Sequence, residues 1–304
     1  MSLTGLLVAG ATVLCWTISV QFFEAASKRV GPTPVNIIRI GVAFLLFSLF
    51  LFLRDGSPVP MDFPGRAWIL LSLSGVVGFF IGDIFLFKAL IEIGPRVAML
   101  LHSLAAPTAA VIGWIFLKEQ YMLHQWLGIA VTLSGVSLVI FERNSSSKII
   151  RQRTQRDITF AGVVFGLLAM LGQACGMVLS KAGMQTETGY LDPFAATQIR
   201  VIASFVCFLL FFTITHRWIN VQSAMRDKKA MLFSSIGAIT GPFVGVSLAL
   251  LALHYLTTGV ASTIFSLVPI CIIPFSYFLH KEHVSGRAVI GAMIAVAGIY
   301  LLTF

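Results

Sequence analysis

The sequence predicts an all-α polytopic membrane protein whose ten transmembrane helices form two inverted five-helix repeats. Three observations carry that expectation. Hydrophobic residues make up 58% of the 304 residues and charged residues only 11%, against about 25% charged in a soluble domain, which leaves too little polar surface to face water. Apolar runs recur along the whole chain, each near the roughly 20 residues that let a helix cross a hydrocarbon layer of about 30 Å. A charged-then-apolar phrase, LKEQYMLHQWLGIAVTLSG at 117–135, returns as LHKEHVSGRAVIGAMIAVAG at 279–298. The short alternating polar and apolar segments of a strand barrel are not seen.

The spans are expected at about 4–26, 33–53, 67–90, 95–117, 123–141, 160–183, 193–215, 230–253, 258–279 and 285–304. The opening MSLTGLLVAG lacks the basic stretch of a signal peptide, so the first span is expected to be retained. Gly31-Pro32, the Pro-Val-Pro at 58–60 and Pro64-Gly65 punctuate the early connections. The four cysteines, Cys15, Cys175, Cys207 and Cys271, fall within spans and far apart, a pattern that suits neither disulfides nor a metal. His280-Lys-Glu-His283 has no third ligand nearby and sits at a span boundary, so no metal is expected there either.

The net charge is +9, and its distribution matters more than its size. Threading ten spans puts Arg54, Arg66, Lys118 and Lys181 on one side and fifteen Lys and Arg on the other. Lys/Arg excess marks the cytoplasmic face, so both termini are expected outside, with ERNSSSKIIRQRTQRD (142–157) in a basic cytoplasmic linker. The first half alone scores only four against three, so the orientation rests on the linker and the second half. A basic loop beside anionic lipid explains the linker without nucleic acid.

The repeat keeps a fixed register. Lys281, Glu282, Gly291 and Gly298 each lie 163 positions beyond Lys118, Glu119, Gly128 and Gly135. Ala89 and Ala252, Val97-Ala98 and Val260-Ala261, and Ser103-Leu104 and Ser266-Leu267 share that offset, while Arg39 and Arg200 differ by 161. Stray Leu and Ala matches arise easily between apolar helices, but Arg, Lys-Glu and a glycine pair in one register do not. The chain therefore divides into a first repeat (1–141), the linker (142–159) and a second repeat (160–304). Five spans is an odd number, so the second copy crosses upside down relative to the first. The glycines fall seven apart, two helical turns on one face, and small residues let helices approach closely in lipid. Gly78 and Gly82, and Gly237, Gly241 and Gly245, repeat the pattern in the third span of each copy.

Polar groups inside spans are costly in hydrocarbon and mark candidate sites. Gln21, Arg39, Asp83 and His102 lie at similar positions in spans 1 to 4, a common layer ~10 Å from the cytoplasmic end at 1.5 Å per residue. Glu24 lies nearer water and can pair with Lys28 at i+4. In the second copy Arg200, Gln173 and Gln198 form a poorer layer, and Val246 stands where Asp83 would be, so the site is expected to be asymmetric. Arg39 and Asp83 are expected to pair, because a neighbouring guanidinium keeps a carboxylate ionised in an apolar setting.

The residues also resemble a known family. ALIEIGPRVAMLLHSLAAP (89–107), FLKE (116–119) and the glycines at 128 and 135 look like the EamA-type signature of the drug/metabolite transporter superfamily. ALHYLTTGVASTIFSLVP (252–269), HKE (280–282) and the glycines at 291 and 298 repeat it, and NIIRIGVAF (36–44) and TQIRVIASF (197–205) match its second span. The resemblance covers nearly the whole chain. It implies spans 1–4 and 6–9 around a central cavity, where Trp16, Phe79 and Phe80 would lie, and spans 5 and 10 at the periphery. It implies a secondary transporter of a small metabolite (an amino acid, a sugar or a related compound, or a drug) working by alternating access in a bacterial inner membrane. The partners implied are the solute and membrane lipids, with the chain a monomer or a homodimer. No cofactor is expected, and proton coupling through Asp83 is left open. Catalysis is not expected, because a hydrolase needs a nucleophile, base and stabiliser within reach and the sequence suggests no such set. The alternatives are a flippase for lipid-linked headgroups and a non-transporting receptor or assembly factor.

Overall fold

The computed structural model is almost entirely helical and describes residues 2–143, 159–187, 189–272 and 286–303. Among the described residues, eight helices are long and apolar enough to cross a membrane: Leu3–Val30, Pro32–Asp55, Gly65–Glu92, Val97–Phe116, Leu123–Ile140, Phe160–Met184, Pro193–Ile214 and Lys228–Tyr255. Two shorter apolar helices, Thr258–Ile272 and Val289–Leu302, fall where the ninth and tenth spans are expected. Residues 273–285, with Lys281 and Glu282, lie outside the described residues, as does most of the basic linker.

Local chemistry sets the boundaries. Helix α1 (Leu3–Val30) gives way to α2 (Pro32–Asp55) at Gly31, whose φ of 85° is open to glycine, and whose N–H donates to the Ser27 carbonyl at 2.9 Å. Pro32 opens α2, where its missing N–H would have had no helical partner. Gly56, at φ 74°, closes α2 with its N–H on the Phe52 carbonyl.

The third and fourth spans of each copy are interrupted, at matching places. The third runs as α3 (Gly65–Ser74), a π-helical segment (Gly75–Gly82) and α4 (Asp83–Glu92). The eighth runs as α11 (Lys228–Ala238), a π-helical segment (Ile239–Gly245) containing Pro242, and α12 (Val246–Tyr255). The fourth breaks at Leu104 between α5 (Gly94–Ser103) and α6 (Ala105–Phe116). Pro107 has no N–H for the carbonyl four residues back, and Ser103 Oγ donates to the Leu100 carbonyl at 2.7 Å. The ninth copies this: α13 (Thr258–Phe265) ends ahead of Pro269, and Ser266 Oγ donates to the Thr263 carbonyl at 2.6 Å. Serines bonding back to the preceding turn bend helices.

The residues group into two compact units, and each draws on both sequence copies. One comprises Leu7–Phe80 and Leu179–His254. Here α2 packs against α9 (Pro193–Ile214), its equivalent in the other copy, while α3 lies on α9 and α11 on α2. Phe47, Phe208, Phe212, Leu71 and Leu250 are fully buried. Phe47 meets Phe243 edge-on with ring centroids 4.8 Å apart, and Phe50 lies 5.0 Å from Phe194, pairs of a kind worth about 0.5–1.5 kcal/mol beyond the area they bury. Charged groups cluster at the helix ends. Glu24 and Lys28 pair at 2.7 Å, as expected. Arg29 Nε donates to Asp227 at 2.9 Å, and the same carboxylate caps α11 by accepting from the N–H groups of Lys229 and Ala230. The Arg29 hydrogen bond, helped by those backbone donors, holds the Asp227 carboxyl below its ordinary range. Arg54 bridges Asp55 at 2.7 Å and Asp192 at 3.1 Å, and Asp192 caps α9 through the Ala195 N–H.

The other unit comprises Met1–Leu6, Ile81–Val178 and Tyr255–Phe304. Its most extensive packing joins α7 (Leu123–Arg143) to α14 (Gly286–Thr303), the fifth span of each copy. The repeated glycines face one another there. A Cβ on Gly128 would sit 2.9 Å from the Gly298 carbonyl oxygen, one on Gly291 would sit 2.8 Å from that of Gly135, and one on Gly298 would strike the Thr132 backbone. Glu119, from the repeated Lys-Glu phrase, is 9% exposed and accepts from the Thr258 N–H at 3.0 Å, the Thr258 hydroxyl at 2.6 Å and the Tyr121 hydroxyl at 2.5 Å. It thereby caps the start of α13, and an unsatisfied N–H left there by truncation costs about 1–3 kcal/mol. Burial, reinforced by the adjacent Glu119, raises the Tyr121 phenol above its ordinary value. Lys118 turns the chain toward this cap with a φ of 54°.

The glycine packing generates a test. Gly135→Leu and Gly298→Leu should each lower the melting temperature of the detergent-solubilised protein, since overpacking costs about 1–3 kcal/mol or more, while transport per folded molecule survives. A Gly298→Leu protein that melts normally yet is inactive would move that glycine from packing into mechanism.

Candidate functional site

The candidate residues divide between the units. Trp16, Gln21, Arg39, Phe79, Gln198 and Arg200 belong to the unit of Leu7–Phe80 and Leu179–His254, and Asp83, His102 and Gln173 to the other.

In the first unit the structure brings Arg200 and Phe79 together. Arg200 lies two turns into α9 and is only 2% exposed. Opposite it the third span comes so close that a Cβ on Gly75 would sit 2.8 Å from the Arg200 Cα. Glycine therefore lets the π-helical segment start against the α9 backbone, and four residues later Phe79 presents its ring to the guanidinium, whose carbon stands 4.3 Å from the ring centroid. Such a cation–π contact compensates the charge without using a hydrogen-bond donor. Nε and Nη1 of Arg200 have no hydrogen-bond partner among the described residues.

Arg39, the counterpart of Arg200, is half-buried and stands 5.3 Å from the Phe23 ring. The two copies thus place an arginine over an aromatic ring from different spans, the first for Arg39 and the third for Arg200. Gln198 is committed to the protein through one end: its amide nitrogen donates to Ser48 Oγ at 2.9 Å and to the Pro58 carbonyl at 3.3 Å. Trp16 lies against the second π-helical segment, where a Cβ on Gly245 would sit 2.6 Å from the indole ring. Ser19 Oγ, nearby on α1, donates to the Gly237 carbonyl at 3.1 Å. Gln21 is half-buried on the same helix.

In the other unit Asp83 begins α4, directly after the π-helical segment. His102 sits in the last turn of α5, two residues before the break at Leu104, and its Nδ1 has no hydrogen-bond partner among the described residues. Thr108, just past the break, donates to the Leu104 carbonyl at 2.8 Å and lies 3.2 Å from the Met170 sulfur. Met170 and Gln173 share α8 (Phe160–Met184), where Gln173 is half-buried.

What each unit offers is recognition: a guanidinium beside an aromatic face and a π-helical segment in one, and an imidazole nitrogen beside a helix break in the other. The sequence reading missed Phe23 under Arg39, the Glu119 cap and the interruptions. The proline of each SLxxP or SLxP phrase and Pro242 were the available signals for the last.

Comparison with known proteins gives a consistent picture. The profile of the EamA-like transporter family matches residues 3–141 and 160–304. An uncharacterised transporter of Haemophilus influenzae is 23% identical over 309 residues, covering 98% of this chain and 94% of that protein. An uncharacterised transporter of a Sinorhizobium species is 31% identical over 136 residues, covering 41% of this chain and 93% of that protein. An uncharacterised membrane protein of Saccharomyces cerevisiae is 24% identical over 167 residues, 51% of this chain, which spans 39% of that longer protein. A solved crystal structure superposes with a TM-score of 0.73 at 14% identity, covering 98% of this chain and 96% of the other, a likeness of fold.

Proposed function

The chain belongs to the EamA-like transporter family, and from that premise we propose that it is a ten-span secondary transporter, built from two inverted repeats, that moves a small metabolite by alternating access. One observation carries the reading. Both copies interrupt the same two helices, with a π-helical segment in the third span and a proline-marked break in the fourth. Interrupted helices leave backbone groups that hydrocarbon cannot satisfy, so they persist where they meet protein or a water-filled path. In secondary transporters such helices build the substrate site. His102 lies beside one break, and Asp83 directly follows a π-helical segment.

Asp83 is proposed as a gating or proton-carrying group, because an aspartate amid apolar helix is costly unless used. Proteoliposomes containing the purified chain should take up a soluble metabolite from a mixed pool, and Asp83→Asn should reduce that uptake at least tenfold while leaving insertion intact. Flux of lipid headgroups alone, or none at all, would contradict the reading. Normal uptake by Asp83→Asn at every pH would remove that residue from the mechanism.

The proposed orientation places the basic linker in the cytoplasm and both described ends of the chain outside, on the asymmetry of Lys and Arg. A reporter fused after Phe304 should be active only outside the cytoplasm, and one inserted at Ser146 only inside. The swapped pattern reverses the orientation.

A further inference from the structure

We propose that Arg200 and Phe79 form an anion subsite, and that the transported solute carries a carboxylate on an apolar body. The inference deepens the transport reading and rests on it for treating the bound carboxylate as cargo.

A guanidinium inside a protein normally meets a carboxylate or a set of carbonyls, because an unpaired buried charge is costly. Arg200 is 2% exposed, and its Nε and Nη1 have no acceptor among the described residues. Four acids of its own unit are engaged elsewhere, and the other two, Asp62 and Glu187, are exposed. Glu24 pairs with Lys28, Asp227 with Arg29, and Asp55 and Asp192 with Arg54. Phe79 supplies an aromatic face to the cation at 4.3 Å. That contact is electrostatic compensation that uses no hydrogen-bond donor. It leaves in-plane donors on both edges of the fork, and either edge, Nε with Nη2 or Nη1 with Nη2, matches two carboxylate oxygens side by side.

The backbone keeps this geometry in place. Gly75 seats the third span against the Arg200 backbone, and the π-helical segment that follows sets the position of the Phe79 ring. Phe79 is only half-buried, so the ring that flanks the cation is not sealed into the core. Arg54 and Arg29 show the contrast: each is an interfacial arginine whose donors already hold a carboxylate. Arg39, over Phe23 at 5.3 Å and half-buried, is the more solvated member of the pair. The planar fork of an arginine selects a carboxylate over a neutral amide, and the adjoining ring favours an apolar group behind it.

The test is binding, read without flux. The full chain, purified in detergent, is titrated with acetate, hexanoate and benzoate and with the matching amides, and the melting temperature is followed. A ligand that binds only the folded state raises it with concentration. Hexanoate and benzoate should stabilise the wild type, acetate less so, and the amides should do little. Arg200→Gln should weaken the apparent affinity for benzoate by about tenfold to a hundredfold, the loss expected for hydrogen bonds to a charged group. Arg200→Lys keeps the charge but not the fork, and should weaken it several-fold. Phe79→Leu leaves the arginine in place and should weaken it by a smaller factor. If no carboxylate stabilises the protein more than its amide, or if benzoate stabilises both Arg200 variants as well as wild type, the subsite is overturned. Arg200-dependent benzoate binding in a protein that moves no solute in vesicles would uphold the subsite and sink the transport reading instead.

Discussion

In hydrocarbon no water is available to satisfy a peptide N–H or carbonyl, so a chain crossing it must pair its backbone groups within each helix or against a neighbour. Every other feature of this chain sits inside that constraint. Long uninterrupted helices satisfy it at once, and most of the sequence takes that route. Departures from it are informative because each leaves groups that must be met some other way. They occur in the same two spans of each copy, at Gly75–Gly82 and Ile239–Gly245 and at the breaks after Ser103 and Phe265. The serine hydroxyls at 103 and 266 make the same local bond in both copies. Such matched interruption fits a function that needs polar backbone at membrane depth.

Close helix packing is the second consequence. Between helices in lipid there is little hydrophobic driving force, so contact area and backbone approach decide what associates. The repeated glycines of α7 and α14 use their missing side chains on each other, at Gly128 with Gly298 and Gly135 with Gly291. Gly75 and Gly245 use theirs differently, one to admit the Arg200 backbone and the other the Trp16 indole. One residue type thus serves a framework in one unit and shapes candidate recognition residues in the other. The Lys-Glu phrase is structural too: Glu119 caps α13 from the neighbouring connection, tying the fourth span of the first copy to the fourth of the second.

Much of this was legible in the sequence. Composition and apolar runs gave the membrane class, and the offset of 163 gave the repeat, because both are one-dimensional patterns. The glycine spacing pointed to packing, which the α7–α14 seam bears out. Individual partners were not legible. That Arg200 lies over Phe79 and Arg39 over Phe23 depends on which helices adjoin, and periodicity does not encode that. Nor did the sequence reveal that the compact units would each take part of both repeats. A repeat in sequence records duplication, whereas compactness follows from which helix faces fit together. The π-helical segments escaped notice because their residues, GVVGFFIG and ITGPFVG, are as apolar as a regular span. Only the glycine density and Pro242 hinted at them.

If the interruptions serve transport, the helix breaks at Leu104 and Leu267 should meet water. Substituted-cysteine labelling tests it most directly. With Cys15, Cys175, Cys207 and Cys271 replaced, single cysteines are placed at Leu104 and Leu267, beside the two breaks, and at Leu49, an exposed position in the uninterrupted α2. A charged, membrane-impermeant thiol reagent should modify positions 104 and 267 in intact membranes and spare 49. Unreactive cysteines at both breaks, in a protein that still transports, would contradict the account.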